Sequence, residues 1–156
     1  MRATMHARVL TAGLLALLVS VGGAAWGDAD SPHGGLGPSP ARVVRVIDGD
    51  TVVLDVTLWP GLTQRIHLRL AGINAPETRG ASHCEEAAGR DAADLVRRLV
   101  EGARRLTVRD VRQGKFAGRV LGRLEADGQD VARSLLAAGL ARPYHGGARK
   151  PWCGEK

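Results

Sequence analysis

The chain has 156 residues, which leaves room for one ordinary domain and little else. It carries 22 Lys and Arg residues against 16 Asp and Glu, a formal net charge of +6, and this balance favours polyanionic partners such as nucleic acid or an anionic membrane surface. Aromatic residues make up only 3% of the chain, so any nucleic-acid affinity must come mainly from charge and not from base stacking.

Residues 1–27 have the pattern of a secretory signal peptide. Arg2 and Arg8 precede an uncharged stretch over 9–26, and small residues at its end offer cleavage sites. The competing interpretation is an uncleaved membrane anchor, because the stretch nearly reaches the minimum span of ~18 residues. Its Gly and Ala content favours cleavage. We therefore predict an exported protein, periplasmic or secreted, that contacts a membrane only if the leader is retained.

The remaining chain divides into a linker and one domain. Residues 28–40 are rich in Gly and Pro without a hydrophobic period, which predicts a flexible linker before a folded domain over 41–156. Apolar residues at helical spacing predict helices over 83–101 and 130–138. Alternating or β-branched runs predict five strands, at 41–47, 51–57, 64–70, 105–111 and 120–125. This order is compatible with an α+β, mainly β, Greek-key barrel of the OB type.

The segment Asp48-Gly49-Asp50-Thr51 lies between the first two predicted strands. An Asp-Gly pair between β-branched runs is most often a hairpin turn. The second carboxylate, on Asp50, adds a hard oxygen ligand of the kind that Ca²⁺ or Mg²⁺ prefers, although the other ligands of an EF-hand loop are missing. The residues themselves favour a turn and leave a metal-binding role open.

Two further segments carry charged residues near strand ends. Arg69 closes the polar face of the third predicted strand, and Glu77 follows Pro76 where a loop begins. Both residue types are also common on a solvent-exposed surface. Functional residues, however, often lie in the loops at strand ends. The glycine-flanked basic loop from Gly114 to Arg119 either holds phosphate through its backbone N–H groups and Arg119 or is a flexible connection.

The chain has two cysteines, Cys84 and Cys153. Export permits a disulfide, and an even count leaves no odd thiol, so the two are a possible pair. The alternative is two unpaired thiols. Their spacing is not that of a zinc site, so we do not expect metal binding through sulfur.

Taken in order, three motifs resemble the staphylococcal nuclease (thermonuclease) family. They are Val46 to Thr51, Arg69 to Thr78 and Gly114 to Arg119, and the likeness extends over 43–152. The C-terminal part also resembles exported bacterial members. The resemblance implies an OB-fold barrel with two to three helices and Ca²⁺-dependent cleavage of DNA and RNA with little sequence preference. It implies a monomer with no stable protein partner.

The motif match implies catalytic and substrate roles for particular residues. Arg69 and Arg119 match the two catalytic arginines of the family, and Glu77 matches its catalytic glutamate. Lys115, in the basic loop, and Tyr144 are the implied substrate contacts. The spacing of Tyr144 differs by about one residue from that of the nucleotide-contacting tyrosine in the family.

The same match implies a calcium site with one altered ligand. Asp50 matches the first calcium-binding aspartate, and Ala75 matches the residue whose backbone carbonyl ligates the metal. Asn74 stands where the family has its second aspartate. An amide oxygen supplies no negative charge, so we predict weaker calcium binding, compensated in part by Asp48 through a bridging water.

A noncatalytic module that binds nucleic acid is the rival hypothesis, because the OB barrel also binds oligonucleotides without cutting them. The presence of Arg69, Glu77 and Arg119 together favours catalysis, whereas Asn74 favours the rival. A structural or carbohydrate-binding barrel explains none of the three.

Overall fold

The structure is a computed structural model that describes residues 37–80, 82–114 and 118–154. The predicted leader, most of the predicted linker and Lys115 lie outside these residues. Within the described ranges, no helix combines the length and the apolar character needed to cross a membrane.

The described residues form eight strands and two helices. The helices are α1 (His83–Gly102) and α2 (Val131–Ala137). The strands, in chain order, are β1 (Ser39–Asp48), β2 (Thr51–Trp59), β3 (Leu62–Leu70), β4 (Ile73–Asn74), β5 (Leu106–Gln113), β6 (Arg119–Ala126), β7 (Gln129–Asp130) and β8 (Arg142–Pro143).

Five of these strands close into a barrel. Antiparallel pairs join β1 to β2, β2 to β3, β1 to β5 and β5 to β6. A parallel pair between β3 and β6 closes the ring. The predicted OB-type α+β fold is therefore confirmed, with α1 inserted between the third and fourth barrel strands.

The five predicted barrel strands are all present, with longer bounds than predicted. β1 begins at Ser39 and not at Ala41, because Ser39 and Pro40 already pair with Val108 and Thr107 of β5. Two-residue strands such as β4 and β8 were not predicted, since a segment of two residues has no period to recognise. They matter here because they pair the stretch around Asn74 with the C-terminal part of the chain.

The core fills the barrel and extends under α1. Alternate residues of β2 point into the barrel, and α1 contributes a stripe of small and branched residues at helical spacing. The helix begins at the cap Ser82, whose hydroxyl accepts a hydrogen bond from the backbone N–H of Glu85 at 3.2 Å. Fully buried members of the core include Val52, Leu54, Val56, Leu68, Val96, Val108, Leu124 and Leu135.

A disulfide links the first turn of α1 to the end of the described chain. It joins Cys84 to Cys153 across a sequence separation of 69, with 6.3 Å between the two Cα atoms. A cross-link over a long loop restricts the unfolded chain and so stabilises the folded state.

Replacing both cysteines, Cys84→Ser with Cys153→Ser, should lower the free energy of unfolding by about 2–4 kcal/mol. Denaturant titration of the double variant, beside the wild type with and without a reductant, measures the loss. Reduced wild type should match the double variant. A difference from the oxidised wild type of less than about 0.5 kcal/mol would contradict a stabilising role.

Candidate active site

The site is built on the turn between β1 and β2. The sequence predicts a turn at Asp48-Gly49, and the structure has it one residue later: Gly49 and Asp50 are the two turn residues, and Asp48 pairs with Thr51 across them. The Asp48 carboxylate accepts a hydrogen bond from the backbone N–H of Asp50 at 3.1 Å. An Asp side chain that bonds the backbone two residues later is a common way to stabilise a turn.

Asp50 is only 1% exposed, and both of its carboxylate oxygens are bonded. Oδ1 accepts from Arg69 Nη1 at 2.5 Å and from Thr51 Oγ1 at 3.0 Å. Oδ2 accepts from the backbone N–H of Ala75 at 2.9 Å. The backbone carbonyl of Asp50 also accepts from the N–H of Leu70 at 2.8 Å. The turn, the end of β3 and the segment after β4 therefore meet at one residue.

Arg69 lies between two of the predicted metal ligands. Its Nη1 contacts Asp50, and its Nη2 donates to Asn74 Oδ1 at 3.2 Å. Arg69 is 8% exposed, so its charge is buried and is compensated chiefly by Asp50. The structure thus brings the three predicted metal ligands, Asp50, Asn74 and Ala75, together and adds a guanidinium to the group.

Asp48 lies beside this cluster and is also buried. Burial raises the pKa of Asp48 to about 7, and the charge of Asp50, a hydrogen bond with Asp50 and the charge of Glu77 add to the effect. Two buried carboxyl groups so close together disfavour double ionisation. A bound cation would act in the opposite direction and favour the ionised form of Asp48.

The donor set suits a hard divalent cation, because every candidate ligand atom is an oxygen. It is, however, poor in charge. Among the described residues, no group of three or more His, Cys, Asp and Glu side chains is placed to hold a metal ion. A cation here would depend on the Asn74 amide and the Ala75 carbonyl as well as on Asp50, in competition with the guanidinium of Arg69.

Glu77 stands at the edge of the cluster and is partly open to solvent. Its side chain is 37% exposed, and Oε1 accepts a hydrogen bond from Arg149 Nη1 at 2.8 Å. Burial lowers the pKa of Arg149, but the hydrogen bond and charge of Glu77, followed by the charge of Asp50, outweigh burial and raise the pKa above its usual value. Arg149 therefore stays a cation beside Glu77.

Helix α1 packs closely against both the Glu77 backbone and the turn. A Cβ atom at Gly89 would lie 2.4 Å from the carbonyl oxygen of Glu77, and one at Gly49 would lie 2.6 Å from the Cβ of Ala92 on α1. Such approaches are possible only without a side chain. The two glycines therefore let the helix set the position of the site residues.

The arginines face a cavity of 770 Å³ beside the cluster. Arg119 begins β6, where it pairs in register with His67 of β3, two residues before Arg69. Tyr144 also borders the cavity, and its backbone N–H donates to the carbonyl of Gly72 at 2.9 Å. The predicted catalytic arginines and the predicted substrate contact Tyr144 thus border one space. Its arginine lining consists of Arg69, Arg112, Arg119 and Arg149.

Sequence reasoning missed four residues of this arrangement. Gly89 carried a signal, because a glycine inside a helical pattern lowers helix stability and usually has a packing reason. The sequence pattern indicates only a turn role for Gly49. Arg112 and Arg149 carried no local signal, since they reach the cavity through the pairing of β5 with β6 and through the path of the C-terminal segment.

The barrel is of the OB type, and it carries a cluster of acidic, amide and arginine side chains. Comparison with known proteins gives the family. Residues 67–152, more than half of the chain, match the family model described as "Staphylococcal nuclease homologue". The chain belongs to this family.

Two curated relatives carry endonuclease names. The chain is similar to an "Uncharacterized endonuclease" of Escherichia coli, with 35% identity over 105 residues, which is 66% of this chain and 60% of that protein. It is also similar to "Endonuclease YncB" of Bacillus subtilis (strain 168), with 32% identity over 100 residues, 63% of this chain and 44% of that protein. The match therefore spans less than two thirds of the length of either relative.

The contact behind Glu77 gives a prediction in which two effects oppose each other. Gly89→Ala should gain about 1 kcal/mol of helix propensity but lose more through the clash with the Glu77 backbone, because overpacking costs about 1–3 kcal/mol. Thermal unfolding should show a net loss of stability. The matched control is Gly102→Ala in the same helix, since a Cβ there meets nothing within 4 Å. Equal or greater stability of Gly89→Ala than of Gly102→Ala would contradict the packing role.

Proposed function

We propose that the protein is a nuclease that hydrolyses phosphodiester bonds of DNA and RNA with little sequence preference, with Ca²⁺ as cofactor. The observation that carries the proposal is one connected arrangement: Arg69 and Arg119 border the same cavity, Arg69 contacts the buried Asp50, and Arg149 links that cavity to the Glu77 carboxylate. Family membership and the endonuclease names of the relatives support it.

The chemistry of the reaction suits these residues. A phosphodiester is an anion, and attack by water adds charge to its nonbridging oxygens. Guanidinium groups held in fixed positions stabilise that developing charge. In this mechanism Glu77 orients the attacking water or accepts its proton, which its partial exposure allows. Arg119, at the start of β6, stabilises the leaving oxygen, and Arg69 contacts the phosphate from the buried side.

The Asp50 carboxylate, the Asn74 side-chain oxygen and the Ala75 carbonyl would hold the calcium ion. When bound, Ca²⁺ supplies positive charge next to the phosphate. We expect a weak site for two reasons. Asn74 contributes no charge, and Arg69 already contacts both Asp50 and Asn74.

We place the protein outside the cytoplasm, as a monomer. The disulfide between Cys84 and Cys153 supports this placement, because such bonds persist in oxidising compartments. The leader pattern supports it too.

The rival function is nucleic-acid binding without cleavage. The altered ligand Asn74 favours it. Against it stands the position of Glu77, since a carboxylate among arginines repels a phosphate backbone and serves no purpose in simple binding.

Glu77→Gln should lower the rate of cleavage by about 10²–10⁴-fold, because the amide cannot accept a proton from water. The assay follows single-stranded DNA and RNA with the full chain, in Ca²⁺ and in chelator. Glu101→Gln, on an exposed position of α1, is the matched control and should cut normally. Intact substrate with the wild type under every condition, together with retained binding, would favour the rival function.

Asn74→Asp should lower the Ca²⁺ concentration needed for half-maximal activity by about tenfold, the effect expected of one added charged contact. A calcium titration of activity in both proteins measures it. In the absence of calcium the new carboxylate also pairs with Arg69, so thermal unfolding in chelator reports that competing contact separately. An unchanged calcium requirement would refute the weak-site hypothesis.

A further inference from the structure

The C-terminal strap, residues 144–153, is fixed at both ends. At its start, Arg142 and Pro143 pair with Asn74 and Ile73, and the Tyr144 N–H bonds the carbonyl of Gly72. At its end, Cys153 is bonded to Cys84 of α1. The strap therefore runs from the predicted calcium ligand Asn74 to the helix that supports Glu77.

The path of the strap is shaped on either side of Arg149. Gly146 and Gly147 have φ values of 110° and 94°, which side chains rarely tolerate, and the Tyr144 hydroxyl donates to the Gly147 carbonyl at 2.8 Å. On the other side, Arg142 Nη1 donates to the carbonyl of Pro151 at 3.0 Å, and its guanidinium lies 4.1 Å from the ring centroid of Trp152. These contacts turn the chain back toward the site and hold it there.

Arg149 lies where the two parts of the candidate site meet. It borders a cavity of 300 Å³ with Asn74, Ala75 and Glu77, and it also borders the 770 Å³ cavity with Arg69 and Arg119. Its side chain is 44% exposed, so a ligand in either cavity can reach it. A guanidinium has five N–H donors, and its contact with Glu77 leaves donors for a phosphate.

The charge balance of the site also calls for such a residue. Arg69 is buried, and its charge is offset by Asp50. A phosphate that enters the cavity therefore depends on positive charge from the arginines at its rim, Arg112, Arg119 and Arg149. Arg149 is available for such a contact because its pair with Glu77 is partly exposed to solvent, unlike the buried pair of Arg69 with Asp50.

We propose that Arg149 is a further phosphate-contacting residue of the nucleic-acid site, and that the Cys84–Cys153 disulfide positions it by holding the strap. The inference rests on the proposed function only because it assigns this site to nucleic acid. A binding measurement tests the inference without any need for cleavage.

The experiment measures the affinity of the full chain for single-stranded DNA with phosphorothioate linkages, in chelator, over a range of salt concentrations. Arg149→Gln should weaken binding by about tenfold. It should also reduce the slope of log affinity against log salt by about 0.7, the value for one phosphate contact to a single strand. Arg149→Lys should restore the slope with only part of the affinity, because Lys keeps the charge but not the fork.

The matched control is Arg97→Gln, which removes the same charge from an arginine that pairs with Asp94 on the exposed face of α1. It should leave the slope unchanged. An unchanged slope in Arg149→Gln, with a lower kcat alone, would mean that Arg149 acts only on Glu77 and would overturn the inference.

The disulfide part is tested with the double variant Cys84→Ser and Cys153→Ser, at a temperature where circular dichroism shows it folded. It should reduce the salt slope as Arg149→Gln does, and adding Arg149→Gln to it should change nothing more. Additive losses, or a full slope without the disulfide, would overturn the positioning role.

The outcomes separate this inference from the proposed nuclease activity. A wild type that binds with an Arg149-dependent slope but never cleaves would uphold the inference and defeat the activity. A wild type that cleaves while Arg149→Gln keeps the full slope would do the reverse. A wild type that does not bind in chelator would defeat the inference, and the cleavage assay in Ca²⁺ would still decide the activity.

Discussion

A buried carboxylate needs both a compensating charge and partners for its lone pairs, and Asp50 obtains them from three separate parts of the chain. Arg69 supplies the charge from the end of β3, Ala75 supplies a backbone N–H from the segment after β4, and Thr51 supplies a hydroxyl from β2. Removing Arg69 would leave the buried charge without compensation, which is strongly destabilising. The contacts that stabilise the turn therefore also set the geometry of the site.

The site has a tightly packed side and a solvent-exposed side. On the tightly packed side, α1 approaches the turn and the Glu77 backbone at distances that only glycine permits. On the other side, Glu77 and Arg149 are partly exposed and reach the site from a loop and from the strap. Rigid support beneath exposed polar groups is typical of a site that holds its charges in place while a ligand approaches from solvent.

Much of the fold was predictable, because β-branched and alternating runs locate the barrel strands and helical spacing locates both helices. Closure of the barrel between β3 and β6 was not visible in any pattern and came from the family resemblance. The grouping of residues from Arg69 to Glu77 was predictable because these residues are close in sequence. Arg149 was not, since its contact with Glu77 depends on the turn at Gly146 and Gly147, which no local signal connects to the site.

The parallel pairing of β3 with β6 also bears on how the chain folds. These strands are separated in sequence by α1 and β5, so they meet only after a long loop has closed, and non-local pairs of this kind slow folding. Arg69 and Arg119 lie on these two strands. A chain with its hairpins formed but its ring open therefore has no shared arginine cavity, and that cavity forms only with the last closing contacts of the barrel.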